Sequence, residues 1–298
     1  MLYEVITVEP ERFGDRGQAL AWLDSERAGL VAAALWAREE RYADTAVRLA
    51  LCLWTYLDWR RYFDDSITVS RAAQEAAHRA GDRDGEAAAW NNLGLALREA
   101  RRVEEAIDAH TRDLDLCQAA GDRHGGATAW HSLGSALEEA GRVEEAIDAH
   151  TRARDLFQTI ADRHGEAAAW NNLGLALQKA GRVKEAIDAL ARARDLFQTA
   201  GDRHNEAKAW IGLGLALKGE GRMAEAIEAF GKALEIFREF EDWYWAGQTL
   251  ENLARAHEGA DRPADARACW LQSVDAYIRA NAPTEAARAC TWAAKPPE

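Results

Sequence analysis

The side chains that could do chemistry in this chain recur at fixed distances, and the distances decide what chemistry is open to them. His124, His164 and His204 stand 40 residues apart and invite a metal reading. Equivalent positions in stacked helical units lie about 8–10 Å apart. Two ligands sharing one zinc, each at about 2 Å, span no more than about 4 Å. The three histidines therefore read as solvated turn residues, and no metal is expected. Gly212 and Gly214 form a G-x-G, but inside the helical-looking run GLGLALKGEG instead of a strand-to-helix turn, which argues against a nucleotide cradle. No Ser-His-Asp, Cys-His or paired-carboxylate spacing stands out, so neither catalysis nor a cofactor is expected. Cys52, Cys117, Cys269 and Cys290 are widely spaced and contain no C-x-x-C pair; they read as reduced, mostly buried thiols of a cytoplasmic protein. A different chemistry is offered by Asn92, Asn172 and Asn252, which also return in the 40-residue frame. Asn is a mediocre residue inside a helix, so its return calls for a compensating bond. A side-chain amide donates and accepts at once. It can grip the main chain of an extended peptide whatever its sequence, or it can bond a neighbouring helix of its own array.

The elements that carry these residues follow from the same period. The blocks beginning at Asp82, Asp122, Asp162 and Asp202 are near copies, and Trp90, Trp130, Trp170 and Trp210 keep the frame without a gap, as do Ala106, Ala146, Ala186 and Ala226. A constant period of this size marks a solenoid, whose units bury their apolar faces only by stacking. Within one unit Ala169, Trp170, Leu173 and Leu177 keep a helical spacing, and Val183, Ala186, Ile187, Leu190, Ala193 and Leu196 keep a second. Each unit is thus two helices. Asp162 is a suitable N-cap for the first, and Gly181, with Gly141 and Gly221, suits a left-handed C-cap. Gly94, Gly134, Gly174 and Gly214 sit inside the first helices, where each costs about 1 kcal/mol relative to Ala. Close approach of the paired helix explains them.

These residues resemble the tetratricopeptide repeat, whose W-x2-L-G-x2-Y pattern is met by Trp90, Leu93 and Gly94 with Leu97 in the Tyr place, and whose later small residue is Ala106. The aromatic that follows is His110, His150, Leu190 or Phe230, and the terminal Pro is missing. The two histidines read as satisfied packing residues in place of a core aromatic. At 40 residues the unit looks like the longer repeats of kinesin light chain and spindle-orientation scaffolds. The resemblance implies an all-α fold, a right-handed α-solenoid of stacked helix-turn-helix tetratricopeptide repeats with some 14 to 15 helices. It also implies that Asn91, Asn92, His131, Ser132, Asn171, Asn172 and Asn252 lie on the concave face of the first helices, beside an apolar strip of Leu95, Leu175 and Leu215. Arg98, Glu138, Glu139, Lys179, Lys208 and Lys218 surround that strip with mixed charge.

The frame extends to both sides of the clear copies. Residues 1–41 are expected to be an N-terminal helical cap, with Ser25 as an internal N-cap. Residues 42–281 make six units, degenerate at the ends, and 282–298 a closing helix and tail whose Cys290 and Trp292 cover the last core layer. Trp90, Trp130, Trp170 and Trp210 are assigned to the core. Trp243, Tyr244 and Trp245 replace a polar turn and either wedge the last unit in place or anchor a partner. The stretch from Gly17 to Glu40 is similar to the segment before tetratricopeptide arrays in actinobacterial regulators of the NB-ARC class, although no G-x-x-x-x-G-K-[ST] loop is present.

Composition limits the partners. The chain has 298 residues, 37 Lys and Arg against 50 Asp and Glu, and a net charge of −13, which opposes a phosphate-lined surface and makes direct nucleic-acid binding a poor expectation. The start, MLYEVITVEPERF, lacks the features of a secretory signal, and no apolar run is long enough to span a membrane. The expected function is a non-enzymatic, cytoplasmic interaction scaffold that holds a protein or peptide segment in its groove. A sensory arm of a bacterial signalling protein and a self-assembling structural solenoid are the alternatives.

Overall fold

The computed structural model describes residues 13–37 and 42–294, so the first twelve residues and the final tail lie outside the described residues. The fold is all-α, an α-solenoid of stacked helix–turn–helix repeats. Helix α1 (Arg16–Trp36) precedes six pairs: α2 (Ala43–Trp59) with α3 (Phe63–Ala80), α4 (Arg83–Glu99) with α5 (Val103–Ala120), α6 (Arg123–Glu139) with α7 (Val143–Thr159), α8 (Arg163–Lys179) with α9 (Val183–Ala200), α10 (Arg203–Gly219) with α11 (Met223–Glu239), and α12 (Trp243–Gly259) with α13 (Pro263–Arg279). Helix α14 (Pro283–Ala293) follows. Among the described residues there is no strand, and no helix is long and apolar enough to cross a membrane. The chain forms two compact units, one ending at Ala120 and one beginning at Gly121.

The caps explain why helices begin where they do. Asp82, Asp122, Asp162, Asp202 and Asp242 each accept a hydrogen bond from the backbone N–H three residues on, satisfying one of the free donors of the first turn. The second helices start differently. Arg142, Arg182 and Arg222 stand at the N-cap without a side-chain cap bond and instead clasp Glu145, Glu185 and Glu225 at 2.6 Å. Pro263 and Pro283 open α13 and α14, where a missing N–H costs nothing.

The ends reveal a finer period than the sequence shows. A residue with positive φ stands at every twentieth position from Arg61 to Asn281, and only half of them are glycine; Arg61, Arg101, Ala161, Glu241, Asp261 and Asn281 adopt the same left-handed backbone. The hydrogen bonds at Arg101 and Arg102, to the carbonyls of Arg98 and Leu97, close the helix in the Schellman manner that this conformation permits. Ser25 does not cap a second helix: α1 runs through it, and its hydroxyl donates back to the Trp22 carbonyl, while Asp15 is the actual cap. A hydroxyl that finds an acceptor one turn back no longer needs to break the helix.

The interior glycines confirm close approach. A methyl group on Gly174 would lie 2.5 Å from Leu190 Cγ, and one on Gly94 2.5 Å from the His110 ring. His110 and His150 are fully buried, as core residues are, but neither ring nitrogen of either has a hydrogen-bond partner. They are packed but not satisfied, because no donor or acceptor stands within hydrogen-bond distance of the ring nitrogens. Burial pushes the His110 pKa down to about 3, with Arg98 adding to the effect.

The tryptophans differ from the core assignment in one respect. Trp130, Trp170 and Trp210 are only half-buried, and arginines of the second helices cover them. Arg154 and Arg192 lie 4.5 and 5.2 Å from the Trp170 ring centre, Arg194 4.6 Å from that of Trp210 and Arg152 4.9 Å from that of Trp130. The ring face attracts the guanidinium, so the indole packs inward and carries a cation outward. Of the thiols only Cys117 is buried; Cys269 is half-buried and Cys52 and Cys290 are exposed. Trp292, rather than Cys290, covers the last layer by stacking on Trp270 at 5.6 Å. Trp245 stacks on Phe237 and Tyr244 meets Tyr277 edge-on, so the aromatic turn wedges α12 between α11 and α13.

Candidate functional site: the inner row of first helices

In the second unit the first helices touch one another, α6 with α8, α8 with α10 and α10 with α12, whereas successive second helices share no comparable contact. The first helices thus form an inner row whose free side is one continuous surface. Each packs on its own second helix, through the glycine cradle in α6, α8 and α10, and α8, α10 and α12 pack also on the second helix before them.

The residues singled out in the sequence fall into two groups. His131, Ser132, Asn171, Asn172, Leu175, Leu215 and Asn252 belong to this row, on α6, α8, α10 and α12. Asn91, Asn92 and Leu95 occupy the matching places on α4 in the first unit, with Asn92 nearly buried at 8 % exposure. The structure brings three of the polar residues together: Asn171 Nδ2 donates to Asn172 Oδ1 at 3.2 Å, and Asn172 Nδ2 lies 3.2 Å from His131 Nε2. Asn172 therefore works across the seam between α6 and α8. Gly212 takes its place on α10, where a methyl group would meet Leu190 Cδ2 at 2.8 Å, so a side chain there would require the leucine to shift. Ser132 is buried, while Asn171, Leu175, Leu215 and Asn252 remain half-exposed.

Charged contacts that the repeat spacing alone did not disclose surround this chain of amides. Glu138 Oε1 lies 2.5 Å from Lys179 Nζ on the next first helix. Burial works to raise the Glu138 pKa, but His150 and Lys179 beside it hold its carboxyl below the usual range. Further along, the nearly buried Glu251 receives Arg288 of α14 at 2.8 Å, with Arg255 at 3.8 Å. Lys218 is half-buried, and desolvation together with nearby Arg255 lowers its pKa. A signal for these lay in the repeat frame, since position 91 reads Asn, His, Asn, Ile, Glu through successive copies. Some partners sit 41 residues on, as in Glu138–Lys179 and His131–Asn172, whereas Glu251 meets Arg288, 37 residues on.

The turn histidines are more engaged than solvated residues would be. His124, His164 and His204 place Nδ1 at 3.7, 3.4 and 4.0 Å from the carboxylates of Asp162, Asp202 and Asp242, the caps of the next repeat. Each ring also meets a phenylalanine edge-on, Phe157, Phe197 or Phe237. They link repeats. Among the described residues no group of three or more His, Cys, Asp or Glu is arranged to hold a metal ion.

Comparison with known proteins places this architecture. A family model described as tetratricopeptide repeat matches residues 85–159, 165–239 and 205–279. Among solved structures the chain is similar to BtubC (BKLC) from P. vanneervenii, with 17% identity, a TM-score of 0.66, and coverage of 74% of this chain and 92% of that one. It is also similar to a Rap protein complexed with competence and sporulation factor, at 14% identity and a TM-score of 0.61, over 95% of this chain and 87% of that one. The nearly identical repeats of a putative kinesin light chain from Podosopora anserina share 18% identity and a TM-score of 0.56, over 64% and 94% of the two chains. Among curated proteins no sequence match was found. At such identities the structural likeness is one of fold, but the family model spans well over half of the sequence, and the chain belongs to the tetratricopeptide repeat family.

Proposed function

We propose that the protein is a non-enzymatic interaction scaffold that holds a peptide or protein segment against the inner row of first helices. The observation that carries this reading is the continuous side of α6, α8, α10 and α12, where Asn171, Leu175, Leu215 and Asn252 stay half-exposed beside fully buried neighbours. Leu175 and Leu215 offer apolar contact, and the amides offer donor and acceptor groups to a partner main chain. His131 and Asn172 serve the site by joining α6 to α8, and Ser132 next to His131 is buried. Asn91, Asn92 and Leu95 present the same pattern on α4. That a Rap protein of the same fold was solved with competence and sporulation factor supports a ligand-carrying role for this architecture.

The test is affinity capture from the native cell with the wild type and with a Leu175→Glu, Leu215→Glu double variant. Both leucines are half-exposed, so the variant is expected to keep its helical circular dichroism while losing the captured partner by at least tenfold. Equal recovery by a folded double variant would remove the inner row from the binding surface.

A further inference from the structure

The sixth repeat lacks the indole that the second to fifth carry, and its outer side holds a cavity of about 520 Å³ beside Leu250, which stands in the place of that indole. In the second unit the repeat frame puts Trp130, Trp170 and Trp210 on α6, α8 and α10, each under an arginine. The next position in the frame is Leu250. The two arginine positions that cover Trp170, Arg154 and Arg192, become Leu234 and Gln272. Indole and both guanidinium groups are thus replaced together around one site, from α11, α12 and α13.

Side chains on a helix lean toward its N-terminus, so a tryptophan at 250 would project over Ala246 toward Trp243. Ala246, Leu250 and Ala276 line that space, and Trp243 stands in its wall with the Arg279 guanidinium 4.6 Å from the ring centre. At the rim Arg238 bonds the neutral amide of Gln272 at 2.9 Å, and Leu271 is 54% exposed. Ile278, seven residues on and 65% exposed, extends the apolar rim along the same face of α13. The volume lies within the range of about 300–1,000 Å³ that small organic groups fill.

We propose that this outer pocket of the sixth repeat is a docking site for an aromatic, indole-like side chain presented by a partner protein. The occupant is argued from the molecule itself, since the same framework in α6, α8 and α10 holds a tryptophan at this place. Arg238 and Arg279 keep the cations that accompany the indole elsewhere, shifted to the rim and wall. Aromatic anchors seated in such pockets dominate many protein interfaces. The site is separate from the inner row and does not depend on it.

Binding of 5-fluoroindole and of the peptide acetyl-Gly-Trp-Gly-amide, each followed by NMR titration, tests the proposal. Both are expected to bind saturably, and cyclohexylmethanol at least fivefold more weakly. Leu250→Trp, which fills the pocket from within, is expected to abolish binding of both probes with an unchanged or higher Tm. Absence of saturable binding to the wild type, equal binding by the folded Leu250→Trp protein, or equal affinity for the non-aromatic alcohol would each overturn the proposal. Binding of free indole with exclusion of the peptide would overturn the protein-partner reading. If Leu250→Trp lowers the Tm, the exposed-rim variant Leu271→Glu decides: at least threefold weaker binding of both probes upholds the site, and unchanged binding refutes it.

Discussion

Two repeats of the second unit, built on the same glycine cradle, show how much one side chain changes. In the pair α10 and α11 the cradle at Gly214 receives Phe230, and in α6 and α7 the cradle at Gly134 receives His150, both wholly buried. The phenylalanine fills its space with carbon. The imidazole brings two nitrogens that find no hydrogen-bond partner, its Nε2 lying 3.9 Å from the Glu138 carboxylate. A repeat tolerates such a replacement because its neighbours share the load of stability. It also shows that bulk selects the residue here, since Leu190 fills the same cradle at Gly174 and the imidazole is kept although neither of its nitrogens has a hydrogen bond.

The largest effect should come from emptying the cradle on its apolar side. Phe230→Ala is expected to cost about 3–5 kcal/mol by loss of transfer energy and creation of a cavity. His150→Ala should cost less than half as much, because it also removes two buried unsatisfied atoms. Urea unfolding of both variants checks the difference, and equal losses would break the contrast.

A smaller gain is expected from His110→Leu, which copies the residue found at Leu190. Relief of an unsatisfied buried polar group is worth about 1–3 kcal/mol. The gain should grow in acid. The His110 pKa is lowered on folding to about 3, so the unfolded state binds a proton first, and stability is lost as pH falls below the ordinary histidine value of about 6.5 toward that figure. The slope of stability against pH between about 6.5 and 4 should flatten in the variant, as read by denaturation at several pH values. An unchanged slope would place the proton uptake elsewhere.

The smallest effect concerns a turn. Ala161 holds φ at 59°, where a β-carbon is strained, and Gly201 serves the same place in the next repeat. Ala161→Gly should stabilise by about 0.5–1 kcal/mol, after the added freedom of the unfolded chain is counted. A fall in Tm would show that the turn is unstrained.

How far the sequence disclosed this molecule depends on whether an interaction stays inside the repeat frame. Helix pairs, Asp caps and glycine cradles were legible because each involves residues of one unit, repeated with a constant period. The left-handed turns at Arg61, Arg101 and Ala161 were not, since the hydrogen bonds of the helix end impose that backbone on whatever residue stands there. The arginines over Trp170 were hidden because one lies 16 residues before it and the other 22 after, on two different helices. Least legible was the inner row. Whether Asn172 faces a partner or a neighbour depends on the seam between α6 and α8, and the contact with His131 appears only when two units are stacked.

The central claim, that the free side of the first helices receives the partner, is tested most directly by site-specific photo-crosslinking in the native cell. A photoreactive phenylalanine placed at Leu175 or at Leu215 should yield one common crosslinked protein. The same group at exposed Asp148, on the second helix α7, should not yield it. Crosslinking of that protein from Asp148 with none from Leu175 or Leu215 would contradict the account.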